Sequence, residues 1–178
     1  MAQSTINSEN TQLKHGELER SRVTFPVCIV ADGIESGANV GSIFRLADAL
    51  GVRKLFLSGA CPVPPSPKIR KTSRASELTV PFEYREHAID VVHELKADGY
   101  TIVSLEVTTR SVDIRTFDRT GLHKLAVVVG SESSGVGQAL LDISDHTLHI
   151  PMFGQSSAMN LSAACAIGLF ELTRDFMP

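Results

Sequence analysis

The sequence predicts an α/β protein built on a mostly parallel sheet with helices on both faces. Two observations carry this. Short apolar, β-branched segments such as Val23–Val30 and Lys124–Val129 read as buried strands. Segments of helical spacing alternate with them along the chain, as crossover connections between parallel strands require. The 178 residues, 43% hydrophobic and 21% charged, suit one folded domain with a substantial core.

The elements follow in order. Residues 1–22 are polar and read as an N-terminal arm, with a short helix predicted over Thr11–Arg20. Val23–Val30 is the first strand, ended by Asp32-Gly33. Asn39–Leu50 is a helix, with Val40, Ile43, Phe44 and Ala47 at helical spacing and Gly51 as its stop. Lys54–Leu57 is a second strand. Pro62, Pro64, Pro65 and Pro67 then enforce a loop. Thr79–Tyr84 is a third strand. His87–Asp98 is an amphipathic helix with Ile89, Val92 and Leu95 inward, closed by Gly99. Tyr100–Val107 and Lys124–Val129 are the fourth and fifth strands, Gln138–Ile143 a short helix, and Thr147–Pro151 the sixth strand. Asn160–Phe176 is the last helix. Its small residues, Ala163, Ala164, Ala166 and Gly168, predict close packing against the sheet or a partner subunit.

Charge and cysteine usage narrow the class. The net charge of −3 does not mark a nucleic-acid binder. Locally, however, Lys68 to Arg74 is a basic run without an acid, either a solvated face or an anion contact. Cys28, Cys61 and Cys165 show neither disulfide nor metal spacing, and the histidines show no ligand spacing, so a reducing cytoplasmic setting without a metal is expected. Nothing resembles a secretory leader, and no apolar run approaches the roughly 20 residues of a membrane span.

Three segments carry the chemistry. Gly130–Gly137 follows a strand, where open parallel sheets bind ligands. Gly130 and Gly135 have the outer spacing of a phosphate loop, but Val136-Gly137 stands where Lys-Ser/Thr would be. The loop therefore offers backbone donors and one carboxylate, Glu132, to a polar ligand without a triphosphate. Asn39 and Arg45 lie under two turns apart on one helix and are expected to look toward one crevice. Arg45 sits among apolar neighbours, which suits a guanidinium paired with a carboxylate or a phosphate. Gly154–Asn160 gathers hydroxyls and amides, with helix capping by Ser156 or Ser157 as the plain alternative.

Taken in order, the three segments resemble the SpoU/TrmH branch of the SPOUT RNA methyltransferases. The first motif is matched by Asn39, Arg45, Ala49 and Gly51, and the second by Gly130, Glu132 and Gly135. The third is matched by Ile150-Pro151-Met152-Phe153-Gly154, Asn160 and Ser162. The resemblance covers about residues 23–176, so residues 23–178 are read as the methyltransferase domain.

The resemblance implies a C-terminal deep trefoil knot, although general chain rules disfavour knots. It implies S-adenosylmethionine held at Leu105, Gly130, Glu132, Gly135, Ile150, Met152, Met159 and Asn160. It implies a homodimer packed through the last helix, with Arg45 acting near the partner's donor pocket. The implied reaction is methyl transfer to a ribose 2′-oxygen of structured RNA, with tRNA favoured over rRNA. Arg45, Asn39, Glu132 and Asn160 would form the catalytic group, and Arg45, Lys68, Arg70, Lys71 and Arg74 would bind RNA. Whether Arg45 takes the hydroxyl proton or clamps the phosphate is left open, since guanidinium groups stay protonated in proteins. One departure stands out: Ala158 replaces the serine many members carry two residues before the third-motif Asn. A non-catalytic, knotted RNA-binding dimer is the alternative.

Overall fold

The computed structural model describes residues 10–13, 23–155 and 158–176. Seven parallel strands form one sheet: β1 (Phe25–Asp32), β2 (Val52–Ser58), β3 (Phe82–Arg85), β4 (Thr101–Leu105), β5 (Val112–Asp113), β6 (Leu125–Val129) and β7 (His146–His149). Their spatial order is β3-β2-β1-β6-β4-β7-β5. The chain winds outward from β1 to β3, restarts at β4, and then inserts β6 between β1 and β4. All three central junctions are parallel, as alternating strand and helix segments dictate.

Side-chain alternation divides the core. Val27, Ile29 and Ala31 of β1 and Leu125, Val127 and Val129 of β6 face one layer. That layer also holds Val40, Ile43, Phe44 and Ala47 of α1 (Gly37–Ala49) and Cys165, Leu169 and Leu172 of α5 (Leu161–Thr173). Cys28, Val30, Ala126 and Val128 face the other. It is closed by Ala88, Val91, Val92 and Leu95 of α3 (Ala88–Ala97) and Leu140 of α4 (Gln138–Ile143). A sheet covered on both faces explains why these strands are apolar along their whole length.

Several boundaries differ from the sequence reading. The basic run is a helix, α2 (Pro67–Ser73), with Pro67 in its first turn, where a missing N–H costs nothing. Ser76–Leu78 forms a 3₁₀ turn, and Ser76 O accepts from Thr79 N and Val80 N, so β3 begins only at Phe82. β5 is two residues long and edges the sheet beyond β7, too short to leave a periodic signal. Of the predicted arm helix, residues 11–13 are not helical, and the rest lies outside the described residues.

α5 begins at an Asn160 cap, whose side-chain oxygen accepts from Ser162 N and Ala163 N. Ser156 and Ser157 lie outside the described residues. A Cβ on Gly168 would stand 3.2 Å from Leu105 Cδ2, so this glycine lets α5 close onto β4. The outer side of α5 leaves Ile167 42% and Phe170 59% exposed. Among the described residues no helix is long and apolar enough to cross a membrane.

Candidate active site

The carboxyl ends of β4, β6 and β7 surround a cavity of about 430 Å³, within the usual range for ligand sites. β4 contributes Leu105, with Glu106 and Val107 just beyond it. The loop after β6 contributes Gly130, Ser131, Glu132 and Gly135, and the loop after β7 contributes Ile150 and Met152. Ala158, Met159 and Asn160 close it at the head of α5. All eight residues that the resemblance assigns to the donor line this one cavity.

The loop after β6 doubles back on itself. Gly135 N donates to Ser131 O at 2.9 Å, and Ser134 N donates to Ser131 Oγ at 3.0 Å. Gly135 takes a positive φ of 66°, which favours glycine. Gly130 is required by space: a Cβ there would overlap the Gly135 carbonyl and the Val136 nitrogen. Glu106 pins the turn from the next strand, its Oε2 accepting from Val136 N at 2.9 Å and its Oε1 from Val107 N at 2.8 Å. The sequence reading passed over Glu106. That reading ran the fourth strand through Tyr100–Val107 and so kept Glu106 inside it, whereas the strand ends at Leu105.

A line of hydrogen bonds joins the three motifs. Asn39 Nδ2 donates to Glu132 Oε1, and Asn160 Nδ2 donates to Asn39 Oδ1 at 3.4 Å. Asn160 Oδ1 in turn accepts from Ser162 Oγ at 2.6 Å and from Ser162 N at 3.0 Å. Residues 93 and 121 positions apart in the chain thus fix one another's amide orientation. A carboxylate can only accept, so Asn39 must present its NH₂ to Glu132 and its oxygen to Asn160.

Arg45 is elsewhere. It lines a second cavity of about 500 Å³ with Ser42, Lys71, Arg74 and Ser162. Six helical positions turn a side chain through about 600°, so Arg45 points roughly 120° away from Asn39. The expected single crevice for both residues is therefore not formed within one protomer. Two glycines one turn apart bring α2 onto α1. A Cβ on Gly37 would stand 2.9 Å from Lys68 Cβ, and one on Gly41 would reach 3.1 Å from the Ile69 carbonyl carbon. Thr72 Oγ1 locks the contact by donating to Ala38 O at 2.9 Å. This docking carries Lys71 and Arg74 to Arg45, while Lys68 and Arg70 stay exposed on α2 outside the cavity.

The cavities have opposite character. The first holds two carboxylates, Glu106 and Glu132, and no lysine or arginine among the described residues. It suits a polar, cationic ligand and repels phosphate. The second gathers three basic side chains and no acid among the described residues. It suits phosphate oxygens. Among the described residues no His, Cys, Asp or Glu cluster is arranged to hold a metal.

These features define a ligand-binding parallel α/β domain with an acidic pocket and a basic pocket on either side of one helix start. Residues 26–170 match the SpoU rRNA Methylase family, and the chain belongs to that family. A Staphylococcus saprophyticus protein assigned to the TrmH family of tRNA/rRNA methyltransferases is 31% identical over 146 residues, 82% of this chain and 57% of its own length. The 23S rRNA (guanosine-2′-O-)-methyltransferase RlmB of Coxiella burnetii is 29% identical over 157 residues, 88% of this chain and 62% of its own. The chain thus spans about three fifths of the length of these relatives. Among solved structures, the A. aeolicus TrmH/SpoU tRNA modifying enzyme superposes with a TM-score of 0.76 at 27% identity, covering 86% of this chain and 76% of that one. An AdoMet-bound rRNA methyltransferase from Sinorhizobium meliloti gives 0.79 at 26% identity, covering 85% and 57%.

Proposed function

We propose that this domain transfers a methyl group from S-adenosylmethionine to a ribose 2′-oxygen of structured RNA, acting as a cytoplasmic homodimer. The observation that carries the reading is the pairing of the two cavities across the first turn of α5. Asn160, Leu161 and Ala164 face the acidic one, and Ser162 and Ala163 face the basic one.

When bound, the donor supplies an electrophilic methyl on a sulfonium. The chain's own groups do the remaining work. Glu106 and Glu132 favour a cation in the first cavity and exclude competing phosphates. The glycine turn after β6 offers backbone groups to the adenosine. Asn39 and Asn160 hold Glu132 in place and fix the head of α5. Arg45, with Lys71 and Arg74, grips acceptor phosphate and sets the ribose in line. Such positioning alone is worth on the order of 7–11 kcal/mol in favourable cases. The exposed Ile167 and Phe170 of α5 support a two-fold interface through that helix, which would bring Arg45 of one subunit toward the donor cavity of the other. A knotted C-terminal passage is supported by the strand order, in which β6 enters between β1 and β4 before β7 returns to the far side of β4. Residues 1–22 are read as an arm appended to this domain. A tRNA acceptor is favoured over rRNA.

Mapping 2′-O-methyl sites in total RNA with and without the protein tests the reading. Loss of one defined mark supports it, and an unchanged map refutes it. Ala158 on the cavity wall favours a second reading, an RNA-binding dimer without turnover. Donor binding by calorimetry without methyl incorporation would select that reading.

A further inference from the structure

Phe153 is 86% exposed, the most exposed large apolar residue among those described. It sits one residue beyond Met152, on the loop that closes the donor cavity. One cation lies near the otherwise open ring. The Arg115 guanidinium stands 5.6 Å from its centroid, in the range of a cation–π contact. Arg115 is itself held. Its Nε donates to both oxygens of Asp113 at 3.1 Å, and its Nη2 donates to Asp113 Oδ2 at 2.6 Å. Asp113 Oδ1 also accepts from Arg115 N at 3.0 Å, capping the 3₁₀ turn Ile114–Thr116. These bonds orient the guanidinium toward the ring, although the Arg115 side chain is itself 59% exposed.

We infer that Phe153, backed by Arg115, is a stacking platform for one unpaired nucleobase of the RNA acceptor beside the donor cavity. The inference rests on the methyl-transfer reading for its substrate class. Its own support is local: an aromatic ring open to solvent, a cation oriented toward that ring by Asp113, and a position next in sequence to Met152 of the cavity wall. Bases splayed from single-stranded segments stack on such aromatic faces. A lone ring is far too small to hold a second protein chain, whose stable interface needs at least about 1,200 Å². It matches the area of one base. The basic cavity lined by Arg45 takes phosphate but reads no base, so the platform adds a preference for an unpaired acceptor that phosphate contacts alone do not give.

The chain contains no tryptophan, so Phe153→Trp would place a single indole fluorophore on the platform. Titration with a short single-stranded oligoribonucleotide should quench that fluorescence, and a duplex of the same composition should not. Phe153→Ala should raise the Kd for the single strand by about 5- to 150-fold, the usual worth of one stacked base. Its donor affinity by calorimetry and its sedimentation should stay as in the unsubstituted protein. Unchanged RNA affinity in Phe153→Ala, equal quenching by duplex, loss of donor affinity, or dissociation of an oligomer would each overturn the platform. These binding readouts need no turnover. A protein that stacks single strands but incorporates no methyl would refute the proposed reaction and leave the platform standing.

Discussion

Gly130→Ala is the sharpest perturbation of the donor cavity. The new Cβ would overlap backbone atoms of Gly135 and Val136, and no side-chain rotation relieves that. The turn must open, giving up Gly135 N to Ser131 O, Ser134 N to Ser131 Oγ and Val136 N to Glu106 Oε2. At about 1 kcal/mol for each of these bonds, the cost is about 2–4 kcal/mol. In a domain of this size that lowers Tm by about 5–15 °C. A donor bound against the opened turn also forgoes one or two backbone contacts, about 1–3 kcal/mol, so its Kd should rise about 5- to 150-fold. Calorimetric titration with S-adenosylmethionine and a thermal melt measure both. Gly137→Ala is the matched control. Nothing lies within 4 Å of a Cβ there, and its effect should stay within about 1 kcal/mol. A Gly130→Ala protein with donor affinity within twofold of the parent and an unmoved Tm would refute the placement of this turn around the ligand.

Arg45→Ala should abolish methyl incorporation while donor affinity, measured by calorimetry, stays within a few-fold, because Arg45 lies outside the donor cavity. Alanine at Lys68, Arg70, Lys71 and Arg74 together should weaken RNA binding and flatten its log–log salt dependence by up to about 3 in slope, at roughly 0.7 per lost single-strand phosphate contact. All three cysteines are buried, and burial raises the thiol pKa of Cys28 and Cys61 and pushes that of Cys165 up to about 12. Since the thiolate is the reactive form, the folded protein at pH 8 should resist a thiol reagent that labels every cysteine once denatured. At donor concentrations far below the raised Kd of Gly130→Ala, where neither variant alone turns over appreciably, mixing Arg45→Ala with Gly130→Ala protein should restore up to about one quarter of parental turnover, since random C2 pairing gives half mixed dimers, each with one intact site. A silent mixture would place the whole site within one subunit.

The sheet was legible because its strands are buried on both faces and so leave unbroken apolar runs, as in Val27–Ala31 and Leu125–Val129. The short elements were not. β5 has two residues, and Pro67–Ser73 shows too few apolar positions to reveal a period, although Pro67 ahead of a basic turn was a usable start signal. The donor cavity was legible as segments but not as a geometry. Nothing local to Glu132, Asn39 or Asn160 announces that they hydrogen-bond to one another, because those contacts depend on where β6 and α5 enter the sheet. Glu106 escaped for the same reason, since its role depends on Val136, 30 positions later.

The separation of charges between the cavities has a consequence for how the two reactants meet. A cationic donor and a polyanionic acceptor sharing one cavity would compete for each other's counter-charges. Here Glu106 and Glu132 line the proposed donor cavity, and Arg45, Lys71 and Arg74 line the other. In the proposed reaction, RNA phosphates would be repelled from the first and drawn to the second, so a strand arriving at the wrong cavity would gain nothing. On that proposal the ribose would reach the donor from the basic side, past the first turn of α5. Asn160 stands at that passage, its side-chain oxygen occupied by the helix cap and its amide committed to Asn39. A residue tied at once to the helix head and to Asn39 is suited to hold the passage in place, and this is the property that in-line attack at near-contact distance demands.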